Sequence, residues 1–292
     1  MLCLKEFFEY CKCGRGLSPD TLQGYRQSLE LFAQFMAYNS IDAVENIDAK
    51  DITKFMQTEY QKGKSPATIN QRLVGISQYF DYLIRFAPSC SQMKNPVVFV
   101  KRMRTPSRLP MCISESVLHK FLNNFANDSF KRARSKTMIM MMWQCGLRRS
   151  EIMDLRIDMI DFESHTMRVI GKGNKERVVP FGFQLQQEIM NLMRYRKIMG
   201  FCKSPFLFVN VNGEQMKRDD IYYLVHTHLL SIVPEQLAHP HALRHSFATT
   251  LLNHGVDIVS ISRLMGHNSV QTTMRYLSLS QDFINKQIEG VF

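Results

Sequence analysis

Apolar residues in the first hundred positions recur at helical spacing. Leu22, Tyr25, Leu29, Phe32 and Met36 advance by alternating steps of three and four, which places them on one face of a helix. Ser18-Pro19-Asp20-Thr21 supplies its start: the Ser18 hydroxyl suits a cap, and Pro19 fits a first turn that needs no N–H partner. The same grammar returns at Ser65-Pro66-Ala67-Thr68, followed by Ile69, Leu73, Ile76, Phe80 and Leu83. Between them, Asp48 is placed to cap a shorter helix carrying Ile52, Phe55, Met56 and Tyr60. Shared capping chemistry accounts for the two S-P-x-T starts without an internal repeat.

The periodicity then breaks. Residues 88–111 hold four prolines and a basic cluster of Lys101, Arg102, Arg104 and Arg108. Proline density ends helices, so this stretch reads as a linker, either simply solvated or lying along a polyanion. A second unit opens with a helix capped near Ser114. It continues into Met138-Ile139-Met140-Met141-Met142-Trp143, a helix apolar on all sides that belongs at the centre of a domain, its methionines serving as core filler. Thr166–Ile170 and Arg177–Val179 are short β-rich runs around Gly171-Lys172-Gly173-Asn174-Lys175-Glu176, the pattern of a hairpin. From Phe183 onward the chain is predicted mainly helical. The expected fold is therefore mainly α with a small β-hairpin or sheet, in two domains: residues 1–87, a linker over 88–111, and residues 112–292.

Composition narrows the choice of partner. The 292 residues are 45% hydrophobic and 22% charged, enough to bury cores. Lys and Arg number 37 against 26 Asp and Glu, a net charge of +11 that favours a polyanion. The most apolar stretch, Thr137 to Leu147, is too short to cross a bilayer, and the N-terminus lacks a signal-peptide pattern, so a cytoplasmic protein with no membrane role is expected. Seven cysteines, an odd number spread over a long chain, fit reduced thiols. Cys3, Cys11 and Cys13 lie close together but lack paired knuckles or spaced histidines, so no metal site is expected.

Four segments of the second unit carry candidate chemistry. Cys145-Gly146-Leu147-Arg148-Arg149-Ser150-Glu151 follows the Met-rich helix, and Gly171-Lys172-Gly173 lies at the hairpin turn. His239-Pro240-His241-Ala242-Leu243-Arg244-His245 starts a helix with His241 and Arg244 on one face. Leu264-Met265-Gly266-His267 precedes Thr272-Thr273-Met274-Arg275-Tyr276. Singly, each has an ordinary explanation: a surface cation, a solvated turn lysine, a packed tyrosine. The G-K-G lacks phosphate-loop spacing, and the neighbouring guanidinium disfavours metal at the histidines. Together, two arginines, a lysine, two histidines and a tyrosine are what metal-free phosphodiester cleavage needs. Guanidinium groups clamp non-bridging oxygens, a base takes the phenol proton, and an acid protonates the leaving oxygen.

The order and wording of these segments resemble the tyrosine recombinases, or phage-integrase family, most closely the bacterial XerC/XerD type, over nearly the whole chain. The resemblance implies a helical core-binding (SAM-like) domain and a catalytic domain forming a C-shaped clamp on DNA. It assigns catalysis to Arg148, Lys172, His241, Arg244, His267 and the nucleophile Tyr276, with Glu151 supporting the first arginine. Lys101, Arg102, Arg104 and Lys175 are expected to touch DNA. No cofactor is implied. Partners would be a duplex with an inverted-repeat core site, recombinase protomers in a homo- or hetero-tetramer, and in some systems a DNA translocase. The implied activity is site-specific recombination through a 3′-phosphotyrosyl intermediate and a Holliday junction, in chromosome dimer resolution or mobile-element integration and excision. The competing readings are a type IB topoisomerase-like enzyme and a non-catalytic DNA-binding protein. Cys145 and Leu277-Ser278 depart from the common Xer wording. Phe283, Ile284, Ile288, Val291 and Phe292 could line a terminal helix; its apolar side suits packing on its own domain as well as on a neighbour, and the resemblance favours docking in trans.

Overall fold

The computed structural model describes residues 3–39, 43–105, 111–171, 175–266 and 271–274. It separates into two units, Met1–Ser107 and Arg108–Phe292.

The first unit is helical: α1 (Leu4–Glu9), α2 (Pro19–Tyr38), α3 (Ala49–Gln61) and α4 (Pro66–Phe86). Ser18 and Ser65 cap α2 and α4 by accepting from the amides of Thr21 and Thr68, each with proline in the first turn. Asp48 caps α3 reciprocally with Asp51. The apolar faces meet in an aromatic core in which Phe32 packs edge-on to Phe55 and Phe80. Gly75 lets α4 approach α2 closely, because a Cβ there would lie 3.2 Å from the Tyr25 ring and 3.3 Å from Ser28. Tyr60, expected on the buried face, is 56% exposed. The inward position in the last turn of α3 is taken instead by Glu59, paired with Arg72 and Lys62.

This unit continues past position 87. Two single turns, Pro88–Cys90 and Pro96–Phe99, send Cys90 and Val97 into the same core. Asn70 then exchanges two hydrogen bonds with the Met103 backbone. The stretch expected as a linker is thus packed through Met103, because its scattered apolar residues follow no helical period yet still reach the core. Lys101, Arg102 and Arg104 remain exposed on it.

In the second unit, α5 (Glu115–Asn124) precedes the central α6 (Phe130–Gln144), whose Met138–Met142 are fully buried. Ser114 begins α5 with the right backbone angles, but its hydroxyl meets Ser116 instead of capping an amide. After α7 (Arg149–Asp154), β1 (Ile160–Asp161), β2 (Thr166–Ile170) and β3 (Glu176–Pro180) form an antiparallel sheet in that order. The hairpin is in the expected place, with Met167 opposite Val179 and Val169 opposite Arg177; β1 is an addition. There follow α8 (Phe183–Ile198), α9 (Arg218–Leu229), α10 (Pro240–Asn253), α11 (Ile258–Met265) and α12 (Gln271–Met274). The buried Arg196 pins the loop after α8 by donating to the carbonyls of Phe201, Ser204, Phe206 and Leu207. Among the described residues no helix is long and apolar enough to cross a membrane. The terminal apolar positions 283–292 lie outside them.

Candidate active site

The site begins at the turn leaving α6. Gly146 has φ +62°, and a Cβ on it would stand 2.4 Å from the buried Phe247 ring of α10. Only glycine allows both the left-handed backbone and this approach. The turn delivers Arg148 in an extended conformation at the start of α7.

Arg148 is held by Glu151, one turn along. The Glu151 carboxylate accepts from the Arg148 amide at 2.8 Å and from its Nη1 at 2.7 Å. It also receives both terminal nitrogens of Arg177, at 2.6 and 2.8 Å. Burial alone would raise the pKa of this carboxyl, but the hydrogen bonds and charges of Arg177 and then Arg148 prevail and hold it at about 2. Glu151 is therefore a fixed anion that orients two cations.

The second arginine comes from α10. His239 caps this helix, its Nδ1 accepting from the Ala242 amide at 3.0 Å, which requires an unprotonated Nδ1. Two positions on, His241 is solvent-exposed. Although one side of the ring is open to solvent, the packing around the rest lowers its pKa by partial loss of water, and His239, Arg244, Arg149 and Arg148 lower it further, which favours the neutral imidazole. Arg244, one turn further, is buried and donates to the carbonyls of Gly146 and Met265.

The C-terminal end of α11 joins the set. Leu264 O accepts from Arg177 Nε at 2.7 Å, Met265 O from Arg244, and Gly266 O from Arg148 Nη2 at 2.8 Å. These carbonyls have no partners within the helix and carry its negative end, so three guanidinium groups suit them. Beside His241, a cavity of about 340 Å³ is lined by Arg149, Tyr222, His239 and Pro240. The Arg149 guanidinium lies over the Tyr222 ring, with the exposed Asp219 carboxylate 3.9 Å away. Arg148 and Arg177 share the one buried carboxylate, and Arg244 and Arg149 add two further cations nearby, leaving the neighbourhood strongly positive and suited to an anion.

Of the sequence-predicted residues, Arg148, Glu151, His241 and Arg244 are brought together. Lys172, His267 and Tyr276 lie outside the described residues. Lys175 is exposed at the hairpin end, where its carbonyl accepts from Gly171 at 2.8 Å. Lys101, Arg102 and Arg104 belong to the other unit. Arg177 is the residue that sequence reasoning missed. Strand alternation held the signal: Arg177 is in phase with the buried Val179, and an arginine on an inward face demands an acidic partner. No group of three or more His, Cys, Asp or Glu able to hold a metal exists among the described residues.

Comparison with known proteins agrees at both ends of the chain. Residues 4–86 match the phage integrase N-terminal SAM-like domain, and residues 112–282 match the phage integrase family. Tyrosine recombinase XerD of Haemophilus influenzae is 30% identical over 275 residues, covering 93% of this chain and 91% of its own. XerC of Staphylococcus aureus is 27% identical over 286 residues, 98% and 93% of the two chains. Among solved structures, XerH recombinase bound to its palindromic difH substrate, in a post-cleavage complex, superposes with a TM-score of 0.77 at 22% identity, covering 97% of this chain and 83% of that one. The Tn1549 transposon integrase in complex with transposon right end DNA gives 0.74 at 21%, with 97% and 98% covered. At these identities the structures speak to the fold alone. With a family match over more than half its length and a relative of 30% identity along most of it, this chain belongs to the phage integrase family, the tyrosine recombinases.

Proposed function

We propose that this site-specific recombinase cleaves duplex DNA with Tyr276 as nucleophile, Arg148 and Arg244 holding the scissile phosphate. The observation that carries the reading is the pairing of two guanidinium groups, each braced by backbone carbonyls, with a neutral histidine beside them. A terminal guanidinium nitrogen has two hydrogens, so a nitrogen of Arg148 bound to the scaffold still has one for a phosphate oxygen. Bracing from behind fixes the donors before charge redistributes in the pentacoordinate transition state.

In this scheme the Tyr276 phenol loses its proton to His241 and its oxygen attacks phosphorus. The bond to the 5′-oxygen breaks, and Lys172 protonates the departing hydroxyl. His267 adds a third donor to the non-bridging oxygens. The 3′-phosphotyrosyl ester conserves the bond energy, so the 5′-hydroxyl of a second duplex can attack it and restore DNA without ATP or metal. Four protomers, of one kind or two, acting on inverted-repeat sites would exchange strands in two stages through a Holliday junction. Lys101, Arg102, Arg104 and Lys175 would add phosphate contacts that fix register. The resemblance to XerC and XerD favours a cytoplasmic role in resolving chromosome dimers, with a translocase as a candidate partner; mobile-element excision, which needs the same chemistry, is the other role.

The test is a nicked suicide duplex carrying an inverted repeat from beside the gene, incubated with protein in EDTA and run on a denaturing gel. Wild type is expected to give a 3′-linked protein–DNA adduct that Tyr276→Phe does not. An adduct persisting in Tyr276→Phe moves the nucleophile elsewhere and overturns the scheme. Supercoil relaxation without joining of two different duplexes would mark a topoisomerase.

A further inference from the structure

We infer that Arg177 of β3 is a positioning residue for strand cleavage, tying the first phosphate-binding arginine to the end of the helix from which the chain runs to His267 and Tyr276. This rests on the roles proposed above for Arg148 and Tyr276.

The geometry is particular. Arg177 is nearly buried, 12% exposed, and spends its donors on two different elements. Its terminal nitrogens form a fork on Glu151, while Nε holds Leu264 O, three residues before His267. Glu151 in turn holds Arg148, whose other terminal nitrogen holds Gly266 O. The result is a closed ring through β3, α7 and the end of α11. Gly266 is shaped to it: φ is +62°, and a Cβ there would stand 3.1 Å from both Cδ and Nη1 of Arg177. The direction in which the chain leaves α11 is therefore sterically linked to the place of this side chain.

Chemistry explains why arginine serves here. Donors on three separate nitrogens reach a carboxylate and a carbonyl at once; lysine groups its three N–H donors on one nitrogen and cannot reproduce the flat fork on Glu151 together with the separate Nε bond. Among the described residues, the charged groups facing Glu151 are Arg148 and Arg177. Without Arg177, each carboxylate oxygen loses a partner, Arg148 is the one cation left facing it among the described residues, and Leu264 O loses its Nε donor. Arg148 would be drawn towards Glu151 and away from phosphate, while the end of α11 loosens.

The experiment uses the full chain and the duplex on which wild type forms its adduct. Arg177→Met is expected to slow single-turnover adduct formation about a hundredfold while changing duplex affinity less than about threefold, because an interaction needed only at the reacting geometry is lost. Arg177→Lys should recover part of the rate. A merely structural role would not move the pH profile. In Arg177→Met a second, steeper fall in cleavage should appear in the ordinary carboxylate range, below the acid limb set by His241, and adding Glu151→Gln should remove that second fall while leaving the His241 limb. Carbon NMR of the Glu151 carboxyl supplies a readout without DNA: its pKa should rise in Arg177→Met. Wild-type cleavage and pH profile in Arg177→Met, or an unchanged Glu151 titration, would overturn the inference. So would losses of rate, affinity and melting temperature in common proportion in Arg177→Lys. Absence of any Tyr276 adduct from wild type would instead fail the functional reading and leave the NMR titration to decide the role of Arg177.

Discussion

Glu151 accepts four hydrogen bonds on two oxygens, and that count decides its charge. Its pKa falls from an ordinary 4.5 to about 2 on folding, so its contribution is fully present above about pH 4.5 and is lost as pH falls towards 2. A shift of this size corresponds to roughly 3 kcal/mol near neutrality. Denaturant unfolding of wild type and Glu151→Gln should show a stability gap that is widest near neutral pH and narrows below about pH 4.5. A gap independent of pH would contradict the pairing. At this scale the spacing of Arg148, Glu151, His241 and Arg244 was readable because it follows helix turns. Arg177 was not read, since a charge on a strand looks solvated until its phase against Val179 is known.

The elements show where local chemistry suffices. Ser18, Asp48 and Ser65 cap their helices as their sequence context requires, because capping involves atoms only two or three residues away. Ser114 does not, its hydroxyl being diverted to Ser116. The two-residue β1 is too short to leave a period in the sequence. The turn between α6 and α7 depends on a distant element: Gly146 must avoid Phe247, about a hundred residues away in the chain. Gly146→Ala combines strain at φ +62° with a contact of 2.4 Å, and should cost about 2 kcal/mol or more. Since Gly146 O also receives Arg244, the same substitution should slow cleavage beyond what the fall in melting temperature explains. A melting temperature and adduct rate equal to wild type would refute both points.

Across the whole molecule, the two units bury separate cores. One is built on Phe32, Phe55 and Phe80, the other on the methionines of α6, and they share no residue. Fragments 1–107 and 108–292 should each fold alone, with a cooperative melt and dispersed amide spectra. A fragment cut at 87 should be less stable than 1–107, because it loses Cys90, Val97 and the Asn70–Met103 hydrogen bonds. Equal melting of the two fragments would show that this packing contributes nothing. The proline-rich stretch read as a linker for a clear reason: its buried side chains belong to single turns and carry no periodic signature.

The sequence by itself determined the helical class, the hairpin and the capped starts of α2, α3 and α4, and it supplied the residues proposed to cleave a phosphodiester. Those follow from short-range periodicity and from the chemistry of side chains in order along the chain. Only the tertiary structure decided that three arginines from three elements converge on the last carbonyls of α11, with Glu151 between two of them. A hydrogen bond between residues 118 positions apart, such as Arg148 to Gly266, leaves no pattern in either residue's neighbourhood. It exists because folding brings a helix end with unpaired acceptors against buried donors that must be satisfied.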